Sequence, residues 1–193
     1  MYIPRHFAVT EAATLNQFIT DNSFGLLTSQ HQGRLFASHI PFLYDPMAGL
    51  LTGHLAKANP QHEDLDEQEV LIVLQGAHGY VSPNWYEQPG VPTWNYQAVH
   101  IYGQAQCFTA ADELKQVVDG LTRQHEQDLP EPWSPGYDER MLNAIIGIRI
   151  NITGIEGKFK LNQNRSVADR QGVVDHLDPK HQAELLQAMK GTL

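Results

Sequence analysis

The stretch "RLFASHIPFLYD", Arg34 to Asp45, decides the architecture. Phe36, Ser38, Ile40 and Phe42 fall on one face of an extended chain, and Leu35, Ala37, His39 and Pro41 on the other. A period of two is what a half-buried strand imposes. Upstream, "FGLLTS" reads as another strand, joined to this one by the turn-like "QHQG". Downstream, the turn signal "DPMAG" leads into a third strand, "LLTGHL". The three together predict an antiparallel meander.

Working outward, Thr10 is placed to cap a first helix with Leu15, Phe18 and Ile19 on one face. "AKANPQHEDL" breaks the strand pattern and can open a short helix. The continuous apolar run of "EVLIVLQG" marks a buried strand that "GYVSP" continues or follows, and "NWYEQPGVPTW" reads as a surface excursion, rich in Pro and Gly. A long aromatic and β-branched strand follows in "WNYQAVHIYGQAQCF". "TAADELKQVVDGLTRQHE" is the clearest helix, with Thr109 as its cap and Leu114, Val117, Val118 and Leu121 as its apolar stripe. After the loop "DLPEPWSPGYD", a brief helix "ERMLNAII" precedes the last long strand or strand pair, "IRINITGIEGKFKL". Ser166 with Asp169 forms a capping-box pattern, and Asp178-Pro179 is placed to start a final helix toward Lys190. Six or seven strands with helices inserted late predict a mainly β protein, an antiparallel barrel with helical decoration.

Composition bounds the function classes. The chain has 193 residues with 41% apolar and 18% charged side chains, which is ordinary globular chemistry. No run of residues is long and apolar enough for a membrane span, and "MYIPRHFAVTEAA" lacks the apolar core of a signal peptide. Cys107 is the single cysteine, which excludes an intramolecular disulfide and a cysteine zinc cluster within one chain. A cytoplasmic protein without membrane attachment is the expectation. The formal net charge of -9 argues against a broad hold on nucleic acid, so direct DNA binding has no support from charge. Histidines are dispersed without the spacing a zinc site uses, and no metal is expected. No GxSxG elbow, Walker loop or GxGxxG fingerprint occurs, and no catalytic residue can be identified.

Three stretches carry candidate chemistry. Between Leu35 and Leu114 the only Lys or Arg is Lys57, in "GHLAKANPQ". A cation beside free backbone N–H groups suits a phosphate; the same residues also fit a solvated lysine in a turn broken by Asn59-Pro60. In "GKFKLNQNRS", Lys158, Lys160 and Arg165 crowd with Asn162, Gln163 and Asn164, a concentration of donors unusual for an acidic chain. These suit a phosphate or a flat heteroaromatic ligand, and equally two snorkelling lysines followed by a helix-capping turn. In "VPTWNYQ", Trp94 and Tyr96 share one strand face, with Thr93, Asn95 and Gln97 on the other. They can frame a flat ligand or simply serve as core or dimer contacts.

Taken in order, "MYIPRHF", "NSFGLLTS", "LFASHIPFL", "GHLAKANPQ", "YVSPNWY", "VPTWNYQAVHIYG" and "IEGKFKLNQNR" resemble the PaiB family, described as FMN-binding negative transcriptional regulators. The resemblance runs from Met1 to about Leu177. It implies a split β-barrel of the pyridoxamine-phosphate-oxidase and flavin-reductase type over residues 1–177, with residues 178–193 a C-terminal helix packed on it or extending from it. It further implies a homodimer with FMN at the interface, and a link to repression of protease production and sporulation. Carried onto this sequence, it implies Ser38 and His39 beside the flavin, Lys57 with Ala56, Asn59 and neighbouring backbone amides around the phosphate, and His54 among the cofactor-binding residues. Trp94, Asn95 and Tyr96 would contact the flavin from the other subunit, while Lys158, Lys160, Asn162, Gln163 and Arg165 line the cleft or tie the dimer. The alternative function is a flavin-dependent oxidoreductase acting on a small molecule.

Overall fold

Alternating strands close into one mostly antiparallel sheet in the computed structural model, which describes residues 1–193 apart from the side chain of residue 139. The strands are β1 (Ala8–Val9), β2 (Phe24–His31), β3 (Arg34–Pro41), β4 (Leu43–Asp45), β5 (Leu50–Ala56), β6 (Glu69–Val81), β7 (Thr93–Phe108) and β8 (Ile145–Lys160). Four α-helices accompany them: α1 (Ala12–Asp21), α2 (Ala111–Glu126), α3 (Val167–His176) and α4 (Ala183–Lys190). The order across the sheet is β3-β2-β6-β7-β8-β5-β4, with β1 paired to β8.

That order corrects the expected meander. The β2–β3 and β4–β5 hairpins form as local turn chemistry dictates, but β3 and β5 lie at opposite ends of the hydrogen-bonded order. They nonetheless approach each other. A Cβ added to Gly53 of β5 would stand 3.0 Å from the Pro41 carbonyl oxygen and 3.4 Å from Ile40 Cδ1. Glycine permits this close crossing, and the crossing brings the two ends of the order together.

By contacts the chain divides into two units. Unit one comprises Met1–Phe18, Gln75–Val99 and Glu156–Leu193; unit two comprises Ile19–Leu74 and His100–Ile155. In unit two, Leu27, Leu51, Ile72, Leu74, Ile101, Ile148 and Ile150 are fully buried, each contributing roughly 1.5–3 kcal/mol of apolar transfer. α2 adds Leu114, Val117 and Leu121. In unit one, Ala77, Val81 and Leu161 meet Val173, Val174 and Leu177 of the α3 region and Leu185 and Met189 of α4. Gly79 lets α4 settle on β6, since an added Cβ would lie 2.8 Å from Leu185 Cδ2.

Helix starts differ from expectation in two places. α2 begins at an N-cap, Ala110, that makes no side-chain hydrogen bond, so Thr109 does not cap it. Asp178 caps a turn through Lys180 N (2.8 Å), and α4 itself starts only at Ala183. Ser166 does cap α3, accepting from Asp169 N at 3.1 Å. No helix among the described residues is long and apolar enough to cross a membrane.

Candidate functional site

In unit two the lone-cation turn is built tightly. Lys57 N donates to Ala144 O (2.7 Å) and Asn59 N to Ala56 O (2.9 Å), closing the turn that follows β5. Asn59 then holds three partners: its Nδ2 donates to Ser38 Oγ (2.8 Å), its Oδ1 accepts from Gln61 N (3.0 Å), and its carbonyl lies 2.6 Å from His62 Nδ1. Gln61 is fully buried and anchors the turn through Ser29 Oγ at 2.8 Å. The Lys57 side chain is exposed, and its ammonium has no partner among the described residues.

Ser38, Ala56, Lys57 and Asn59 are therefore brought to one place, while the two histidines are not. His39 stands on the opposite face of β3 from Ser38, exposed and stacked on Phe24 with ring centroids 6.0 Å apart. His54 lies on the face of β5 opposite the buried Leu51, Gly53 and Leu55, and its buried Nδ1 has no hydrogen-bond partner.

Burial lowers the His54 pKa from its ordinary 6.5. The unfolded chain therefore takes up that proton first as pH falls. The stabilising contribution is whole above the ordinary value and is lost as pH drops below it toward the folded value. His54→Gln should flatten the fall in stability on the acid side of neutrality, measured by urea melts at several pH values. An unaltered slope would assign the effect to other groups.

Unit one shows where the donors of "GKFKLNQNRS" go. Lys158 is buried; its Nζ donates to Tyr2 O (3.0 Å) and lies 5.6 Å and 5.3 Å from the ring centres of Tyr2 and Tyr96. Lys160 donates to Trp94 O (2.6 Å) and to the Thr93 hydroxyl. Burial first, and then the Lys158 charge, lower its pKa. Asn162, in the left-handed region at φ 62°, donates from Nδ2 to Tyr86 OH at 3.2 Å. Gln163 accepts from Leu161 N (2.8 Å) and donates to Phe159 O (2.6 Å). Arg165 sits over the Tyr86 ring, its Cζ 4.3 Å from the centroid, and donates to Pro89 O at 3.4 Å. The donors crowded there bind their own chain, fixing the first residues and the 86–92 excursion.

On β7, Trp94 is half-exposed, stacks on His78 at 6.0 Å, and donates from Nε1 to His78 Nδ1 at 3.4 Å. Tyr96 shares its face. Asn95 points the other way and is fully buried: Nδ2 lies 3.2 Å from Met189 Sδ, and Oδ1 has no partner. Sequence reading did not single out Gln61 or Tyr86, and it placed Asp169 only as a helix cap. Asp169 is 2% exposed and its Oδ1 accepts from Glu87 N (3.0 Å) and Gln88 N (3.1 Å). The capping-box pattern signalled its helix position but not that tertiary bond.

Residues 1–154 match the family described as "Putative FMN-binding domain". Protease synthase and sporulation protein PAI 2 of Bacillus subtilis is 37% identical over 97% of this chain and 97% of its own.

The chain belongs to the PaiB family of FMN-binding proteins.

FMN is the cofactor of that family's domain. Among solved structures, the FAD and heme binding protein from Mycobacterium smegmatis superposes with a TM-score of 0.66 at 15% identity, covering 89% of this chain and 80% of its own. The flavocytochrome Anf3 from Azotobacter vinelandii gives a TM-score of 0.66 at 13% identity, over 82% and 72%. Both likenesses establish the split-barrel fold expected from the resemblance. The residues present suit FMN chemically. The Lys57 turn offers an unpaired ammonium for a phosphate, beside the Asn59–Ser38 hydrogen bond that fixes it.

Proposed function

We propose that the protein is a homodimeric, FMN-binding negative regulator of transcription, acting on control of the protease-production and sporulation type. The observation that carries this reading is the end-to-end likeness to a relative whose name refers to protease synthesis and sporulation. A regulator of transcription works where the chromosome is, so the protein is placed in the cytoplasm. The FMN domain spans residues 1–177, with residues 178–193 as an accessory helical segment.

Lys57 is the phosphate ligand, oriented by the Ser38–Asn59 hydrogen bond, which fixes the turn that carries it. Lys158, Lys160, Asn162, Gln163 and Arg165 act mainly by holding the walls, since their donors are bonded within the chain. When bound, FMN supplies reversible electron-transfer chemistry that the side chains themselves lack. The formal charge of -9 speaks against a direct electrostatic grip on DNA, so control runs through a second macromolecule or through flavin state.

Purified protein should carry flavin by native mass spectrometry. Lys57→Ala should weaken FMN binding by roughly 1.5–3 kcal/mol, the scale of a hydrogen bond to a charged group, in a fluorescence titration. Equal affinity in that variant removes Lys57 from the site. NAD(P)H oxidation well above that of free FMN would replace the regulatory reading with the oxidoreductase one.

A further inference from the structure

Gln61 closes the turn that begins at Lys57, and it is wholly buried. Its Nε2 meets three acceptors of the β2–β3 hairpin: Ser29 Oγ at 2.8 Å, Leu27 O at 3.2 Å and Phe36 O at 3.4 Å. Two of these are carbonyls, which accept and never donate, so the amide nitrogen and not the oxygen must face them. That orientation leaves Gln61 Oε1 buried with no hydrogen-bond partner among the described residues. A buried acceptor without a donor has lost its hydration and gained no bond. Folding alone gives little reason for an amide oxygen there, and a polar rule broken in a native core marks a residue held for another purpose.

The turn itself shows that purpose. Lys57, Ala58 and Pro60 are exposed, so hydrogen bonds and not packing hold this segment in place. One end is tied where Lys57 N donates to Ala144 O at 2.7 Å. The other is tied through Gln61, whose amide grips β2 and β3 and whose backbone N donates to Asn59 Oδ1 at 3.0 Å. Asn59, oriented by that bond, reaches Ser38 Oγ from Nδ2 at 2.8 Å. Ser38 accepts that bond and has its own O–H left to donate, with no acceptor among the described residues. We propose that Gln61 is a positioning residue for the phosphate of FMN: its buried amide holds the turn at the spacing that lets the Lys57 ammonium and the Ser38 hydroxyl reach one anion. The inference rests on the Lys57 reading above and adds the residue that sets its geometry.

The test titrates the full chain, freed of flavin, with FMN and separately with riboflavin, which is FMN without its phosphate. The ratio of the two dissociation constants isolates the phosphate from ring binding and from any general loosening of the fold. Gln61→Met keeps the length of the side chain and removes its N–H groups. It should lower the preference for FMN about tenfold, most of one hydrogen bond to a charged group, while riboflavin affinity and the circular dichroism spectrum stay those of wild type. Ser29→Ala deletes one acceptor of the same amide and should lower the preference in the same direction by less; it decides the matter if Gln61→Met does not fold. A folded Gln61→Met or, failing that, Ser29→Ala with the wild-type preference overturns the positioning role and leaves the Lys57 reading standing. Equal loss of affinity for both flavins makes Gln61 a structural residue only and overturns the role as well. A wild type without preference, or one whose preference survives Lys57→Ala, overturns the phosphate reading and this inference together.

Discussion

An alanine at position 172 is expected to lower stability by about 2–3 kcal/mol, against the usual rule for helices. In a solvent-facing helix interior, Gly→Ala gains about 1 kcal/mol. Gly172 lies in α3 where the helix meets the backbone of the 83–85 turn, and an added Cβ would stand 2.1 Å from the Trp85 carbonyl oxygen. A backbone atom cannot swing aside as a side chain does, so α3 must retreat. Retreat would loosen Val173 and Val174 from their core and part the His176–Trp85 stack, whose centroids are 6.0 Å apart. For a chain of this size the loss corresponds to a melting temperature lower by roughly 5–10 °C. Gly136→Ala, with nothing within 4 Å of the new methyl, is the control and should be near neutral. A Gly172→Ala protein as stable as wild type, or more so, would mean that α3 does not press on Trp85.

Asp169→Ala should cost more, about 3–5 kcal/mol, the scale for breaking a buried charged interaction. Its carboxylate is 2% exposed and bonded to Glu87 N and Gln88 N. Arg165 Nη1 lies 3.7 Å from the other oxygen. Deleting the side chain leaves two N–H groups unpaired and one guanidinium without its anion. Asp169→Asn keeps an acceptor for the two N–H groups and should lose distinctly less. The urea midpoints of the two variants, read together with limited proteolysis between residues 86 and 92, check this. Equal stability of Asp169→Ala and wild type would show that the excursion is held by Arg165 and Tyr86 alone.

Local periodicity made most elements legible. The alternation from Leu35 to Phe42, the stripe of α2 and the unbroken run in β6 follow from side-chain chemistry over a few residues, and each appears where the sequence places it. Sheet order was not legible. Whether β5 pairs with β3 or with β8 depends on partners a hundred residues away, and nothing local in "LLTGHL" distinguishes them. The very short β1 and β4 likewise exist only because neighbouring strands supply partners. For the site, the isolation of Lys57 in sequence did mark a cation without a protein partner. At residues 158–165 the sequence shows donors but not the acceptors they meet. Those acceptors are carbonyls of Tyr2, Pro89, Trp94 and Phe159, invisible as a pattern.

The pairing of β1 with β8, Ala8 beside Lys158 and Val9 beside Gly157, bears on how the protein is made. Leu15 packs where only Gly157 gives room, so the leading segment has no seat until the far strand leaves the ribosome. At about 5–20 residues per second that wait is roughly ten to thirty seconds. Throughout it the apolar side of α1 is open to chaperones or to neighbouring nascent chains. Slowed translation late in the message should therefore lower soluble yield more than the same slowing early on.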